Sequence, residues 1–293
     1  MKSQMNYEIK NEHIKAKIKS FGAELNSLQK CGEELEYIWQ GDSKYWNRHS
    51  PILFPIVGRL KNDSYLYKNQ KYNMTQHGFA RDKEFELVRK EADFIDFRLC
   101  SDEKTLEIYP FSFELYLSYK LEKNSLIVSY KVINKSDDKM FFSIGAHPAF
   151  NWCLKENEKK DDYFLQFENI KQTKRYFLND KGLVFKHEDL KIIDNKIPLN
   201  EELFQNDALV FNDLNIKEVS LKNKNNDNFV KLNFDNFQYL GIWSKPSGAP
   251  FLCIEPWFGV ADDENSTQNF EDKKGIITLQ KDETFSCFYS IEI

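Results

Sequence analysis

Long apolar runs are absent from this chain. No stretch approaches the roughly 18 apolar residues that a membrane helix needs. The N-terminal Met1-Lys2-Ser3-Gln4-Met5-Asn6-Tyr7-Glu8 has no apolar region of the kind found in a secretory leader. No membrane association is expected, and the expected location is the cytoplasm. Cysteine is sparse: Cys31, Cys100, Cys153, Cys253 and Cys287 are odd in number and widely spaced, with no C-x-x-C. That pattern argues against a disulfide framework and a zinc-finger spacing, and fits reduced thiols. A basic surface is missing too. Lys and Arg total 41 against 46 Asp and Glu, for a net charge of −5. The short runs Lys159-Lys160 and Lys273-Lys274 are flanked by acids, so no nucleic-acid partner is expected. No Gly/Ser- or Pro-rich linker interrupts the 293 residues and no repeat is visible, so residues 1–293 read as a single domain.

Aromatics are plentiful. Phe (25) and Tyr (14) favour strands over helices, and period-two alternation dominates the chain. Ile14, Ala16 and Ile18 alternate with lysines. Phe113, Leu115, Leu117, Tyr119 and Leu121 alternate up to a Lys123-Asn124-Ser125 turn, and Leu126, Val128, Tyr130 and Val132 alternate back. Ile277 and Leu279, then a Lys281-Asp282-Glu283 turn, then Phe285, Cys287, Tyr289 and Ile291 suggest a closing hairpin. Further strands are expected over 83–89, 94–99, 141–146, 163–167, 229–234 and 251–255. Helical signals are short: one turn over Asp42 to Trp46, and another over Asn200 to Phe204 with Asn200 as its cap. The expected fold class is all-β, with stacked, mostly antiparallel sheets.

Five segments place polar groups inside apolar strand text. In Phe54-Pro55-Ile56-Val57-Gly58-Arg59 an apolar run ends on Arg59, whose fork of donors suits sugar hydroxyls, a phosphate or a surface salt bridge. In Gln76-His77-Gly78-Phe79-Ala80-Arg81, His77 lies beside a glycine that lets a ligand approach the backbone, or is a structural histidine; Arg81 adds a second fork. In Gly145-Ala146-His147-Pro148-Ala149-Phe150-Asn151, Pro148 biases His147 toward extended backbone at a strand end. Histidine is the side chain suited to proton transfer near neutral pH. Asp207 precedes an apolar strand, as a cap or a ligand. Glu255, in Phe251-Leu252-Cys253-Ile254-Glu255-Pro256-Trp257, is a carboxylate inside apolar text, which needs a partner or a task, and Pro256, like Pro148, predicts a strand end there. Apolar surroundings raise such a carboxyl toward a general-base value. Trp243 and Trp257 are candidate stacking platforms for a sugar, or core.

Taken in order with Phe21-Gly22-Ala23-Glu24-Leu25, Tyr37-Ile38-Trp39 and Trp243-Ser244-Lys245-Pro246, these strings resemble the aldose 1-epimerase (galactose mutarotase-like) family, in its LacX-type branch. The resemblance runs nearly end to end. It implies a β-supersandwich with an open sugar cleft, no cofactor and no metal, in a monomer or homodimer. It carries the catalytic base onto Glu255 and the acid onto His147. Substrate contacts carry over to His77, Arg59 and Asp207. The Ala80-Arg81 pair is similar to hexose-6-phosphate mutarotases, whose arginines hold the phosphate. The implied reaction interconverts α and β anomers of an aldohexose or hexose 6-phosphate: Glu255 takes the anomeric hydroxyl proton while His147 protonates the ring oxygen. Three other classes fit some of the residues: a non-catalytic carbohydrate-binding protein of the same fold, a metalloenzyme built on His77, His147 and Glu255, and a glycoside hydrolase using Asp207 and Glu255.

Overall fold

A computed structural model of the chain describes residues 5–293, except 169, 171, 213–215 and 247. Residues 1–4 of the stretch read for a leader therefore lie outside the described residues. The described chain is almost entirely strand, as the aromatic and alternating text predicts. Two large antiparallel sheets dominate.

The nine-stranded sheet runs in the order Lys196–Pro198, Tyr163–Phe167, Glu218–Asn223, Phe229–Asn233, Thr284–Glu292, Ser125–Asn134, Phe113–Glu122, Phe94–Cys100, Glu86–Lys90. The predicted hairpin lies near its centre, in register Leu126↔Leu121 and Val128↔Tyr119. Its alternate residues, Leu115 to Leu121 and Leu126 to Val132, are buried as the pattern requires. The predicted closing hairpin does not form. Thr284–Glu292 pairs with Ser125–Asn134 and Phe229–Asn233, and Ile277–Leu279 pairs with Met140–Phe142 instead. Alternation tells which face a residue takes, not which strand it meets.

The eight-stranded sheet runs Val184–Lys191, Gln172–Leu178, Leu209–Asn212, Tyr239–Trp243, Phe251–Phe258, Ile144–Ala146, Ile52–Leu53, with Ala149–Asn151 also paired to Phe251–Phe258. Its strand Phe251–Phe258 is buried along its full length, on both faces. Leu252, Ile254, Leu240, Ile242 and Leu209 join the main core with the hairpin residues. The alternate residues Leu53, Val210, Tyr239 and Trp257 join a second cluster on the opposite face, with Val57, Val260 and Ala261. One face of this sheet thus builds the core and the other builds the site.

A three-stranded sheet, Asn6–Lys10, Ile14–Lys19 and Glu24–Lys30, buries Ile14, Ala16 and Ile18. Both predicted short turns are present: Tyr45 and Trp46 donate to the Asp42 carbonyl, and Asn200 caps a 3₁₀ turn by accepting from Leu203 N–H. A six-residue helix, Glu103–Ile108, was not anticipated; Asp102 and Thr105 close a reciprocal capping box at its start.

Candidate active site

A buried polar constellation lies on the second face of the eight-stranded sheet. Cys253, Glu255 and Trp257 alternate along Phe251–Phe258, so all three point to that face. Glu255 is therefore inside a strand and not at its end. Pro256 is tolerated there for a specific reason. Ile254 N–H donates to the Pro148 carbonyl, and the nitrogen two residues on points to the same side. On that side the neighbouring strand breaks between Ile144–Ala146 and Ala149–Asn151, at His147-Pro148, so no ladder bond is lost. His147 does sit at a strand end, as expected. The break turns its ring onto Glu255, and His147 Nε2 lies 3.2 Å from Glu255 Oε2.

Both groups are buried, Glu255 to 1% and His147 to 7% relative exposure. Desolvation lifts the Glu255 carboxyl well above its usual range, and the Asp207 carboxylate adds to the rise. Desolvation also lowers His147, to about 3, with a smaller contribution from the Arg81 charge. The pair is thus biased to the neutral form, with one proton on the carboxyl. Neither Glu255 Oε2 nor His147 Nδ1 has a hydrogen-bond partner among the described residues. Buried polar atoms are normally satisfied, and such exceptions point to function.

Around the pair is a cavity of ≈ 400 Å³. Of the residues singled out from the sequence, His77, Arg81, His147, Asp207, Trp243, Glu255 and Trp257 all line it. His77 is held in the left-handed region, φ 67, and Gly78 follows at φ 70. A Cβ on Gly78 would lie 2.3 Å from the Phe54 carbonyl oxygen, so the turn that delivers His77 requires glycine there. His77 Nδ1 accepts from Gly58 N–H at 3.2 Å, which leaves the ring proton on Nε2. Burial, then the neighbouring His147, lowers its pKa well below the ordinary value. Its ring stands edge-on to His147, centroids 5.5 Å apart.

Trp257 forms part of the lining by lying flat over two glycines. A Cβ on Gly241 would be 2.5 Å from its ring, and one on Gly145 would be 2.6 Å away. Its indole N–H donates to the Ala146 carbonyl. Trp243 packs edge-on to His147 at 5.8 Å. Asp207, at φ 68, is exposed, and its carboxylate accepts from Ala208 N–H.

Arg59 is not brought into the lining. Its guanidinium is forked onto Asp63 at 2.8 and 2.9 Å, the salt bridge that the sequence left open, with its stem beside Gly182. Three polar or aromatic lining residues were not singled out from the sequence: Trp46, Arg48 and Gln76. Trp46 covers His147 with its ring, 4.9 Å between centroids. Arg48 pairs with Asp82 at 2.8 Å. Both ride on a segment fixed by buried Glu24, which accepts from His49 and Ser50 N–H. The clustering of Tyr45, Trp46, Arg48 and His49 was the available signal. Arg81 donates to the Gln76 carbonyl at 2.7 Å, and burial followed by the Arg48 charge lowers its pKa to about 10. Two guanidiniums thus face one cavity with Asp82 as their shared carboxylate.

The aldose 1-epimerase family model matches residues 5–270. The chain belongs to the aldose 1-epimerase family. Among its relatives, the plasmid-encoded Protein LacX of Lactococcus lactis subsp. lactis is 33% identical over 99% of both chains. A galactose mutarotase related enzyme from Lactobacillus acidophilus superposes with a TM-score of 0.95 at 36% identity, covering 98% of this chain and 97% of that one. A galactose mutarotase-like protein from Lactobacillus casei gives 0.93 at 33% identity, with 98% and 99% covered. The family and these neighbours agree with the stacked antiparallel architecture and support a sugar epimerase- or mutarotase-type role.

Proposed function

We propose that the protein is a mutarotase acting on an aldohexose or hexose 6-phosphate, with Glu255 and His147 as its acid–base pair. The observation that carries this reading is the 3.2 Å approach of a buried imidazole and a buried carboxyl on the wall of a sugar-sized cavity. Anomer exchange removes one proton from the anomeric hydroxyl and supplies one to the ring oxygen. A pair holding a single proton is sufficient, because the overall count does not change.

The neutral bias of the pair separates its resting form from its reactive one. With the sugar ring closed, Glu255 acts as carboxylate and His147 as imidazolium. Ring opening moves a proton from O1 to Glu255 and another from His147 to O5. That leaves the carboxyl protonated and the imidazole neutral, the form burial favours. Rotation about C1–C2 and the reverse transfers close the ring on its other face. Each positioned acid or base contributes typically about 10²–10⁴-fold. His77, with its proton on Nε2, donates to a sugar oxygen, and Asp207 accepts from a hydroxyl at the rim. Trp46, Trp243 and Trp257 form the apolar walls that hold the ring. Arg48 and Arg81 face the end of the cavity suited to a phosphate or to hydroxyls.

Polarimetry of freshly dissolved α-glucose, α-galactose and glucose 6-phosphate tests the proposal. Wild-type protein should outpace buffer on at least one sugar, and Glu255→Gln should lose about 10²–10⁴-fold of that rate. Saturable sugar binding with no acceleration would instead make it a carbohydrate-binding protein.

A further inference from the structure

We propose that His147, Cys253 and Glu255 form a binding site for a soft divalent cation of the zinc–cadmium class, and that the cation blocks the cavity. One ligand atom from each lies within 4.8 Å of the other two, and all three residues are buried. The arrangement follows from the strand. Cys253 and Glu255 are alternate residues of Phe251–Phe258 and share its cavity-side face. His147 arrives from the break in the neighbouring strand, where Ala149 is registered against Cys253. This is not the His77, His147 and Glu255 set that the sequence suggested for a metalloenzyme.

The donor types are those zinc takes: thiolate, imidazole and carboxylate, at about 2.0–2.3 Å. Tetrahedral bonds of that length place donor atoms about 3.3–3.8 Å apart. His147 Nε2 and Glu255 Oε2 already meet at 3.2 Å, so closing the set needs about 1 Å of side-chain rotation at most. The groups are also available for it. Cys253 is a free thiol, and Glu255 Oε2 lacks a hydrogen-bond partner among the described residues. Thiolate and carboxylate together neutralise a divalent ion, which suits a buried position. Hard cations such as magnesium prefer all-oxygen shells and have no such set here. A fourth position opens toward the cavity, where the ion would sit on the atoms proposed to move protons.

Cadmium titration followed by the ultraviolet thiolate-to-metal charge-transfer band tests the binding. The wild-type band should saturate at one ion per chain, vanish in Cys253→Ala, and need at least about tenfold more cadmium in Glu255→Gln, as losses of metal-site residues do. Magnesium in large excess should not displace the ion. In the mutarotation assay cadmium should abolish wild-type activity, while Cys253→Ala should turn over normally and resist the metal. That second arm rests on the proposed reaction, and the spectroscopic arm does not. A band that persists in Cys253→Ala, or is unweakened in Glu255→Gln, overturns the site, since Cys31, Cys100, Cys153 or Cys287 would then hold the ion. Absence of any wild-type band overturns it as well. A wild type without mutarotase activity but with the expected band refutes only the reaction.

Discussion

Substituting Gly241 by alanine isolates the contact that shapes one wall of the cavity. Gly241 lies in the strand Tyr239–Trp243, opposite Glu255, in backbone that alanine adopts without strain. Removing a glycine there would by itself stabilise the chain by about 0.4–1 kcal/mol through the unfolded state. The new methyl would, however, fall 2.5 Å from Trp257 Cζ2 and 2.6 Å from Cη2. Carbon atoms settle about 3.5–4.0 Å apart, so the indole must lift by about 1–1.5 Å. The ring cannot rock freely, because its other edge lies over Gly145 and its N–H is tied to Ala146. Overpacking of this kind costs about 1–3 kcal/mol, a fall of several degrees in Tm for a chain of this size. The lifted ring also intrudes on the sugar, so KM should rise. The assay is a double-mutant cycle in thermal or denaturant unfolding, with Gly241→Ala in wild-type and Trp257→Leu backgrounds. In the leucine background the cost should drop below about 0.5 kcal/mol, giving a coupling in the range expected of touching residues. An equal cost in both backgrounds would refute the idea that Trp257 is what glycine accommodates.

Acidification should destabilise the fold early. His77 and His147 both have folded pKa values below the ordinary 6.5, so their contribution is complete above that value and is lost as pH falls toward the folded values, about 3 for His147. Glu255, raised in the fold, acts in the opposite direction, losing its contribution as pH rises through its folded value. Tm should therefore drop between pH 6.5 and 5, and His147→Asn should flatten that drop by an amount on the order of 1 kcal/mol per pH unit; an unchanged slope would show that His147 is not held neutral. Arg48→Met should raise KM for glucose 6-phosphate at least about tenfold while leaving the neutral sugar nearly unaffected, as expected for a lost charge-assisted contact; equal effects on both would place Arg48 away from a phosphate. Lys273→Met should be severely destabilising. Lys273 Nζ is buried against Asp262 at 3.0 Å and the Val260 carbonyl at 2.6 Å, and removing it strands a buried carboxylate at a cost of about 3–5 kcal/mol by chemical denaturation.

Much of the fold was legible because half-buried strands write their faces in period two. The hairpin from Phe113 to Asn134 and the strand Ile14–Lys19 needed nothing more. Partner choice was not legible. Ile277–Leu279 alternates well beside Thr284–Glu292, yet it pairs across the molecule with Met140–Phe142, because no local signal distinguishes a hairpin from two strands meeting distant edges. Pro256 misled for a related reason. A proline predicts a strand end only if the missing N–H has somewhere to go, and here the neighbour breaks at the same level, at His147-Pro148. Most of the polar cavity lining was readable because polar groups in apolar text are costly without a partner. Arg59 stays outside the lining because Asp63, in a turn whose geometry no pattern announces, holds its guanidinium. Arg48 of the cavity lining and Cys253 of the proposed cation site were missed for opposite reasons. One lies in a loop positioned by a distant Glu24, and the other looks like ordinary core unless Glu255 is known to point the same way.

The central position of Phe251–Phe258 has a consequence for the order in which the molecule is made. This strand holds together Tyr239–Trp243 on one side and both Ile144–Ala146 and Ala149–Asn151 on the other, with contacts such as Gly145 to Trp257 spanning more than a hundred residues. On the ribosome its neighbours emerge first and wait with open edges. The sheet can close, and Glu255 can meet His147, only after most of the polypeptide has been released. Pairings of such long span are slow to form, and partly finished chains of this kind are prone to aggregate. Recovered activity after refolding would therefore report completion of these long-span pairings, and shortages of soluble protein during rapid expression would trace to the wait for Phe251–Phe258 and, later still, for Thr284–Glu292.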